Sequence, residues 1–112
     1  MLNFSIARKI TSFTNKEIYN LRKSAKKIFS NESFDIKRKN KLESVEIGRI
    51  LIVIPKKVGS APVRNKIRRQ IKSIFYQEKK YQLPSDFIVY VKPHANELKF
   101  EEIHEILNKV LC

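Results

Sequence analysis

Arg64, Asn65, Lys66, Arg68, Arg69 and Lys72, led in by Lys56 and Lys57, are the residues whose types and spacing could do chemistry. Between Lys56 and Lys72 there are seven Lys or Arg and no acid. That chemistry is anion recognition: a guanidinium makes paired hydrogen bonds to phosphate, while an ammonium acts as a point charge. A charge run can be no more than a solvated helix face. Here no carboxylate stands one turn away to relieve the repulsion, which speaks for an outside polyanion.

Chemistry carried by the protein itself is harder to assemble. His94 follows Pro93 in a loop and His104 lies on an acidic helix, with no third group placed to orient either; both read as surface histidines. Glu101, Glu102 and Glu105 have the spacing of a solvated face rather than a metal site. Cys112 is the only cysteine, so neither an internal disulfide nor a zinc site is expected. No catalytic residue and no protein-bound metal is assigned. Tyr19, Tyr76, Tyr81 and Tyr90 could stack on bases, although Tyr90, inside a strand, reads as half-buried packing.

The elements that must position the basic residues follow from periodicity. At about 3.6 residues per turn, Val63, Ile67, Ile71, Ile74 and Phe75 share one side of a helix. Asn65, Arg68, Arg69 and Lys72 fall opposite, with Arg64 and Lys66 on the flanks. The helix start near Ala61 to Arg64 adds a positive dipole, and Gly59 lets the loop turn and a polyanion come close.

Upstream, Met1 to Ser12 read as an extended or poorly ordered lead-in. Thr14 to Glu17 has capping-box spacing, with Phe13 and Ile18 placed as a hydrophobic staple. Ile18, Leu21, Ala25 and Ile28 then predict a helix over about Asn15 to Lys26. Phe34 and Ile36 alternate with Asp35 and Lys37 as a strand with one wet face, followed by a loop from Arg38 to Ser44. From Arg22 to Lys41 there are eight basic residues and two acids, which extends the positive field.

Ile50 to Ile54 is a continuous apolar run, predicting a central strand buried on both faces. Pro55 ends it. Asp86 to Val91 predicts a second apolar strand, and Phe100, Ile103, Ile106, Leu107, Val110 and Leu111 predict an amphipathic last helix. The expected order is helix, strand, strand, helix, strand, helix: one α+β domain over residues 1–112, a mixed sheet with packed helices.

With 112 residues, 42% of them hydrophobic, the chain can bury one core. Its 24 Lys+Arg against 11 Asp+Glu leave a net charge of +13. Nucleic acid is the first partner this implies, an anionic membrane surface the second. No run approaches the roughly 18 apolar residues of a spanning helix, and no apolar segment follows Arg8 and Lys9 as in a signal peptide. A cytoplasmic protein with no membrane contact and no obligatory protein partner is expected.

Lys56-Lys57-Val58-Gly59-x-Ala61-x-Val63-Arg64-Asn65-Lys66-Ile67-Arg68-Arg69 closely resembles the signature of the bacterial ribonuclease P protein family. That signature centres on Arg-Asn-Arg, preceded by Lys-Lys-x-Gly and followed by a second basic pair. The likeness is specific here and looser from Thr14 to Leu111, through element order, Pro93 and Phe100-Glu101-Glu102. It implies a two-layer α/β sandwich with a mixed four-stranded sheet and a left-handed βαβ crossover, where spacing alone favours the right-handed one.

It also implies binding of the catalytic ribonuclease P RNA and of the 5′ leader of precursor tRNA. The RNA then performs the hydrolysis, with Mg2+ held mainly by the RNA. The implied RNA contacts are Lys56, Lys57, Gly59, Arg64, Asn65, Lys66, Arg68, Arg69 and Lys72. Ile18, Arg22, Phe34 and Lys37 are leader-cleft candidates, with Tyr19 and Phe13 as alternatives.

The chain departs from the family pattern at Lys66, where a second Arg is usual, and at Pro55, Ser60 and Pro62. Where the family lines its cleft with aromatic residues, Ile18, Arg22 and Lys37 imply a grip more by charge than by stacking. A ribosomal protein binding rRNA is the alternative reading, and a helix-turn-helix DNA binder a third.

Overall fold

A computed structural model describes residues 8–41 and 47–112. Its sheet has four strands in the order β1-β2-β4-β3, with β1 Lys26–Ser30, β2 Phe34–Asn40, β3 Arg49–Val53 and β4 Ser85–Val91. β1–β2 and β2–β4 are antiparallel, while β3 runs parallel to β4 and reaches it through a helix. The helices are α1 Asn15–Ser24, α2 Ala61–Gln77 and α3 Phe100–Val110, with short 3-10 turns at Lys56–Val58, Lys80–Gln82 and Pro93–Glu97. The result is the α+β, mixed four-stranded architecture expected, and it gains a strand over the periodicity reading.

Pleat alternation sorts the sheet into two unlike faces. On one, Phe34 and Ile36 of β2, Phe87, Val89 and Val91 of β4 and Ile50 of β3 meet α2 and α3 in a single core. α2 contributes Ile67, Ile71, Ile74 and Phe75, all at most 4% exposed. Each such side chain stabilises by about 1.5 to 3 kcal/mol. α3 adds Ile103 and Leu107, and Leu111 closes the end.

On the other face α1 is the one helix that approaches among the described residues. Leu21 and Ile88 are buried there, apart from the main cluster. Thr14 caps α1 as its spacing required: Glu17 N–H donates to Thr14 Oγ1 at 3.1 Å and Thr14 N–H to Glu17 Oε1 at 2.9 Å.

Several expectations are corrected. The first helix ends at Ser24, with Ala25 as its C-cap, and Ile28 is an exposed residue of β1. β1 escaped the periodicity reading because a bulge between Lys27 and Phe29 breaks its alternation and its surface is polar. Arg38 to Asn40 belong to β2 rather than to a loop; Lys41 follows the strand, and 42–44 lie outside the described residues.

The run at Ile50 is an edge strand, not a central one, and Leu51, Ile52 and Val53 are only half-buried. It needs apolar residues because the chain before α1 covers it: Ile50 N–H donates to Ile10 O at 2.6 Å, and Ile10 is fully buried. Residues 8–12 are therefore an ordered part of the fold, and the remainder of the lead-in, 1–7, lies outside the described residues.

Glycine is demanded by contact. A Cβ on Gly48 would lie 2.5 Å from Leu83 O and 2.6 Å from Ser85 O, so the backbone passes there without room for a side chain.

Candidate nucleic-acid interface

The loop before α2 begins as a 3-10 turn over Lys56–Val58, in which Val58 is buried and Lys56 and Lys57 are exposed. Gly59 has φ 163°, extended backbone open to any residue, so it is not needed for turning. Its role is contact: a Cβ would sit 2.9 Å from Val63 Cγ1, against the first turn of α2. Ser60 leaves that turn without a side-chain cap, and Pro62 lies within it.

Along α2, Asn65, Lys66, Arg68 and Arg69 are exposed, and Arg64 and Lys72 half-buried. Arg64 Nε donates to Gly59 O at 3.1 Å, tying the side chain to the loop and fixing its direction. Arg68 donates to Asn65 Oδ1 at 2.9 Å, so these two present a guanidinium and an amide as one unit. Lys56, Lys57, Arg64, Lys66, Arg68, Arg69 and Lys72 make no ion pair with a described residue. Their charge is uncompensated within the described fold.

This basic row reaches the sheet. Arg68 and Lys72 share a cavity of about 260 Å³ with Thr11 and with Ile50, Leu51 and Ile52 of the edge strand β3. Leu51 lies in register with Ile88 and Lys37, and Lys37 with Lys27, so one cross-strand row leads over the open face to a pair of lysines. On the core side the next pair is Lys26 with Arg38. Two successive like-charge pairs on one hairpin are destabilising by themselves. Lys37 Nζ also stands 5.5 Å from the centroid of the Tyr90 ring, half-buried on the same open face.

α1 is held over this face by an ion-pair chain. Arg49 bonds Glu17 Oε2 at 2.8 Å and Asp86 Oδ2 at 3.1 Å, and Lys41 approaches Asp86 Oδ1 at 3.1 Å. The Phe13 ring lies 4.2 Å beneath the Arg49 guanidinium. Burial disfavours the charged Arg49, but its bonds to Asp86 and then Glu17 outweigh that and raise its pKa. Glu17 is held below its ordinary value by the Thr14 backbone N–H and then by Arg49. A cleft of about 360 Å³ remains between α1 and the strands, lined by Asn20, Leu21, Lys39 and Asp86 among others.

Of the four cleft candidates, Lys37 lies on the open face, Ile18 is half-buried on α1 and Arg22 is exposed there. Phe34 is corrected: it is 0% exposed on the opposite face, sealed in the core, where no leader reaches it. Tyr90 and Lys27 occupy the open face instead. Their placement depends on strand register, of which the sequence around Lys27 carried no signal. Tyr19 is 61% exposed with Lys23 Nζ 5.2 Å from its ring.

His94 has the partners its sequence context did not reveal. Its Nδ1 is 2.7 Å from Ser33 Oγ, and its Nε2 is 3.6 Å from Glu32 and 3.4 Å from Glu97. Hydroxyl, imidazole and carboxylate in series suggest a nucleophile, but Ser33 is 2% exposed and no substrate reaches it. The group instead latches the β1–β2 turn to the turn before α3, beside Lys92 N–H donating to Ser33 O at 2.9 Å.

Fold and surface together define a small α+β protein with one side closed by a core and the other presenting a basic, partly aromatic surface to a polyanion. The family model described as Ribonuclease P matches residues 7–112, and the chain belongs to that family. It is 32% identical over 97 residues to the ribonuclease P protein component of Macrococcus caseolyticus, covering 87% of this chain and 83% of that one. It is 37% identical to its counterpart in Bacillus velezensis over 59 residues, about half of each chain. A mutant of the Staphylococcus aureus RNase P protein superposes with a TM-score of 0.83 at 26% identity, covering 98% of this chain and 95% of that one. The ribosomal and helix-turn-helix readings give way to this membership.

Proposed function

We propose that this chain binds the ribonuclease P RNA through α2 and its leading loop, and the 5′ leader of precursor tRNA across the open face beneath α1. As a member of its family it is the protein subunit of a ribonucleoprotein endoribonuclease, with the RNA as partner. The carrying observation is that Arg68 and Lys72 border the edge of β3, from which one cross-strand row, buried at Ile88, leads to Lys37 and Lys27. A backbone following it meets a phosphate-binding charge at each end and Tyr90 between.

Hydrolysis is assigned to the RNA, with Mg2+ held there. The carboxylates on the open face do not suit a metal: Asp86 is engaged by Arg49 and Lys41, and Asp35 by Lys92 at 2.9 Å. Among the described residues no group of three His, Cys, Asp or Glu is arranged to hold an ion. The cytoplasm, where such RNAs are made, is the proposed location. Among the described residues no helix is long and apolar enough to cross a membrane.

The test is precursor-tRNA cleavage by a bacterial ribonuclease P RNA at low Mg2+, with and without this protein. Faster cleavage with the protein is expected; no change at any protein ratio would overturn the proposal.

A further inference from the structure

Phe100 opens α3 at the first position of its apolar stripe, yet it is 38% exposed. It lines a groove of about 440 Å³ between α2 and the turn leading into α3, within the range of ligand clefts, about 300 to 1,000 Å³. Lys66 and Lys99 stand on the same groove, with the amides of Gln70 and Asn96 and an apolar floor that includes Val63. No carboxylate lines it. Of the carboxylates close in sequence, Glu102 accepts from Lys99 N–H at 3.0 Å, Glu97 turns to His94, and Glu101 is exposed outside the lining. Lys66 and Lys99 make no ion pair with a described residue.

The groove shares Lys66 with the basic row described above but opens on the opposite flank of α2 from the cavity at β3. Lys66 lies on the α3 flank of α2, whereas Arg68 and Lys72 lie on the flank that borders β3. An exposed ring, two uncompensated cations and two amides are the components that hold an unpaired nucleotide: a face for stacking, charge for phosphate, and donors and acceptors for a base edge. The His104 ring, 6.2 Å from that of Phe100 and inclined by 35°, extends the aromatic shelf. A peptide partner of matching charge would be acidic and would leave the ring and amides without a specific role.

We propose that this groove takes one unstacked nucleotide of a single-stranded RNA segment, its base on Phe100 and its phosphate between Lys66 and Lys99. The inference rests on the RNA-binding reading and adds a second contact on the far flank of α2. A helix gripped from both flanks is fixed in rotation as well as in position.

The test uses a full-length bacterial ribonuclease P RNA carrying 4-thiouridine, with the parent protein and the variants Phe100→Leu, Lys99→Gln and Arg68→Ala. Phe100→Leu keeps an apolar side chain and is expected to weaken binding roughly 5-fold or more, as loss of one base stack does. Lys99→Gln is expected to lower the log–log salt slope by about 0.7 to 0.9, one phosphate contact. Photocrosslinks are expected on the peptide containing Phe100, a readout that a merely structural role would not produce.

Parent-like binding by Phe100→Leu and Lys99→Gln, without crosslinks near Phe100 but with Arg68→Ala impaired, overturns the groove alone. Parent-like binding by all three overturns the α2 surface with it.

Discussion

The two faces of the sheet are built to opposite rules. One is closed by α2 and α3 over side chains such as Ile71, Phe75 and Phe87, each 0% exposed. The other carries Lys27, Lys37 and Tyr90 beside a single short helix held by Leu21 and the Arg49 ion pairs. Stability is concentrated where water is absent, and unrelieved charge where a partner can arrive. α2 embodies both rules, since Ile67, Ile71 and Ile74 serve the first and Arg64, Arg68 and Lys72 the second.

The contrast can be broken most forcefully at Ile71. Ile71→Asp buries a charge against the sheet, an expected loss of about 4 kcal/mol or more, and thermal melting should lose its cooperative transition. A parent-like melt would show that this side of α2 is not packed. Arg49→Met is next. It leaves the buried Asp86 with Lys41 as its remaining charged partner, while Glu17 stays exposed and keeps the Thr14 N–H; denaturant unfolding should report a loss of about 2 to 3 kcal/mol, below the full cost of breaking a buried pair.

On the basic side of α2 the expected effect is on binding, not on folding. Arg64→Ala with Arg68→Ala should leave the melt near that of the parent and lower the salt slope of RNA binding by about 1.4 to 1.8. An unchanged slope would place the RNA elsewhere.

On the open face, Lys27→Glu converts a like-charge pair with Lys37 into an opposite one. The domain should gain up to about 1 kcal/mol while leader binding weakens, two changes of opposite sign measured on one variant. The smallest expected effect concerns acid. Because the folded Glu17 carboxyl titrates below its ordinary 4.5, its contribution is complete above that value and is lost as pH falls through the folded pKa. The stability of Glu17→Gln should therefore decline less steeply with acid than that of the parent.

What could be read in advance follows the same division. The core side of α2, the Thr14 cap and the apolar strand before Lys92 obey local rules, and their residues announce them. β1 did not, because an edge strand with a bulge and two lysines owes its place to pairing with β2 rather than to any period of its own. The apolar run at Ile50 misled differently: an edge strand covered by residue Ile10 has the composition of a central one. Two phenylalanines show the limits of pattern. Phe34, offered for the cleft, is core, and Phe100, counted in the core, faces solvent, since position on an apolar stripe does not say where the neighbouring element stops. The basic face of α2 was legible through charge density, but Lys27 and Tyr90 become a site only through register.

The β1–β2 hairpin has a consequence for how long the protein would last without substrate. Lys26 faces Arg38 and Lys27 faces Lys37 along an edge strand with no further neighbour among the described residues. An RNA that neutralises those charges binds the folded hairpin in preference to the frayed one, and so adds to its stability by mass action. A copy without RNA would then open first at β1 and offer an edge to proteases. On the proposed reading, survival of the protein would be coupled to the supply of leader-bearing substrate.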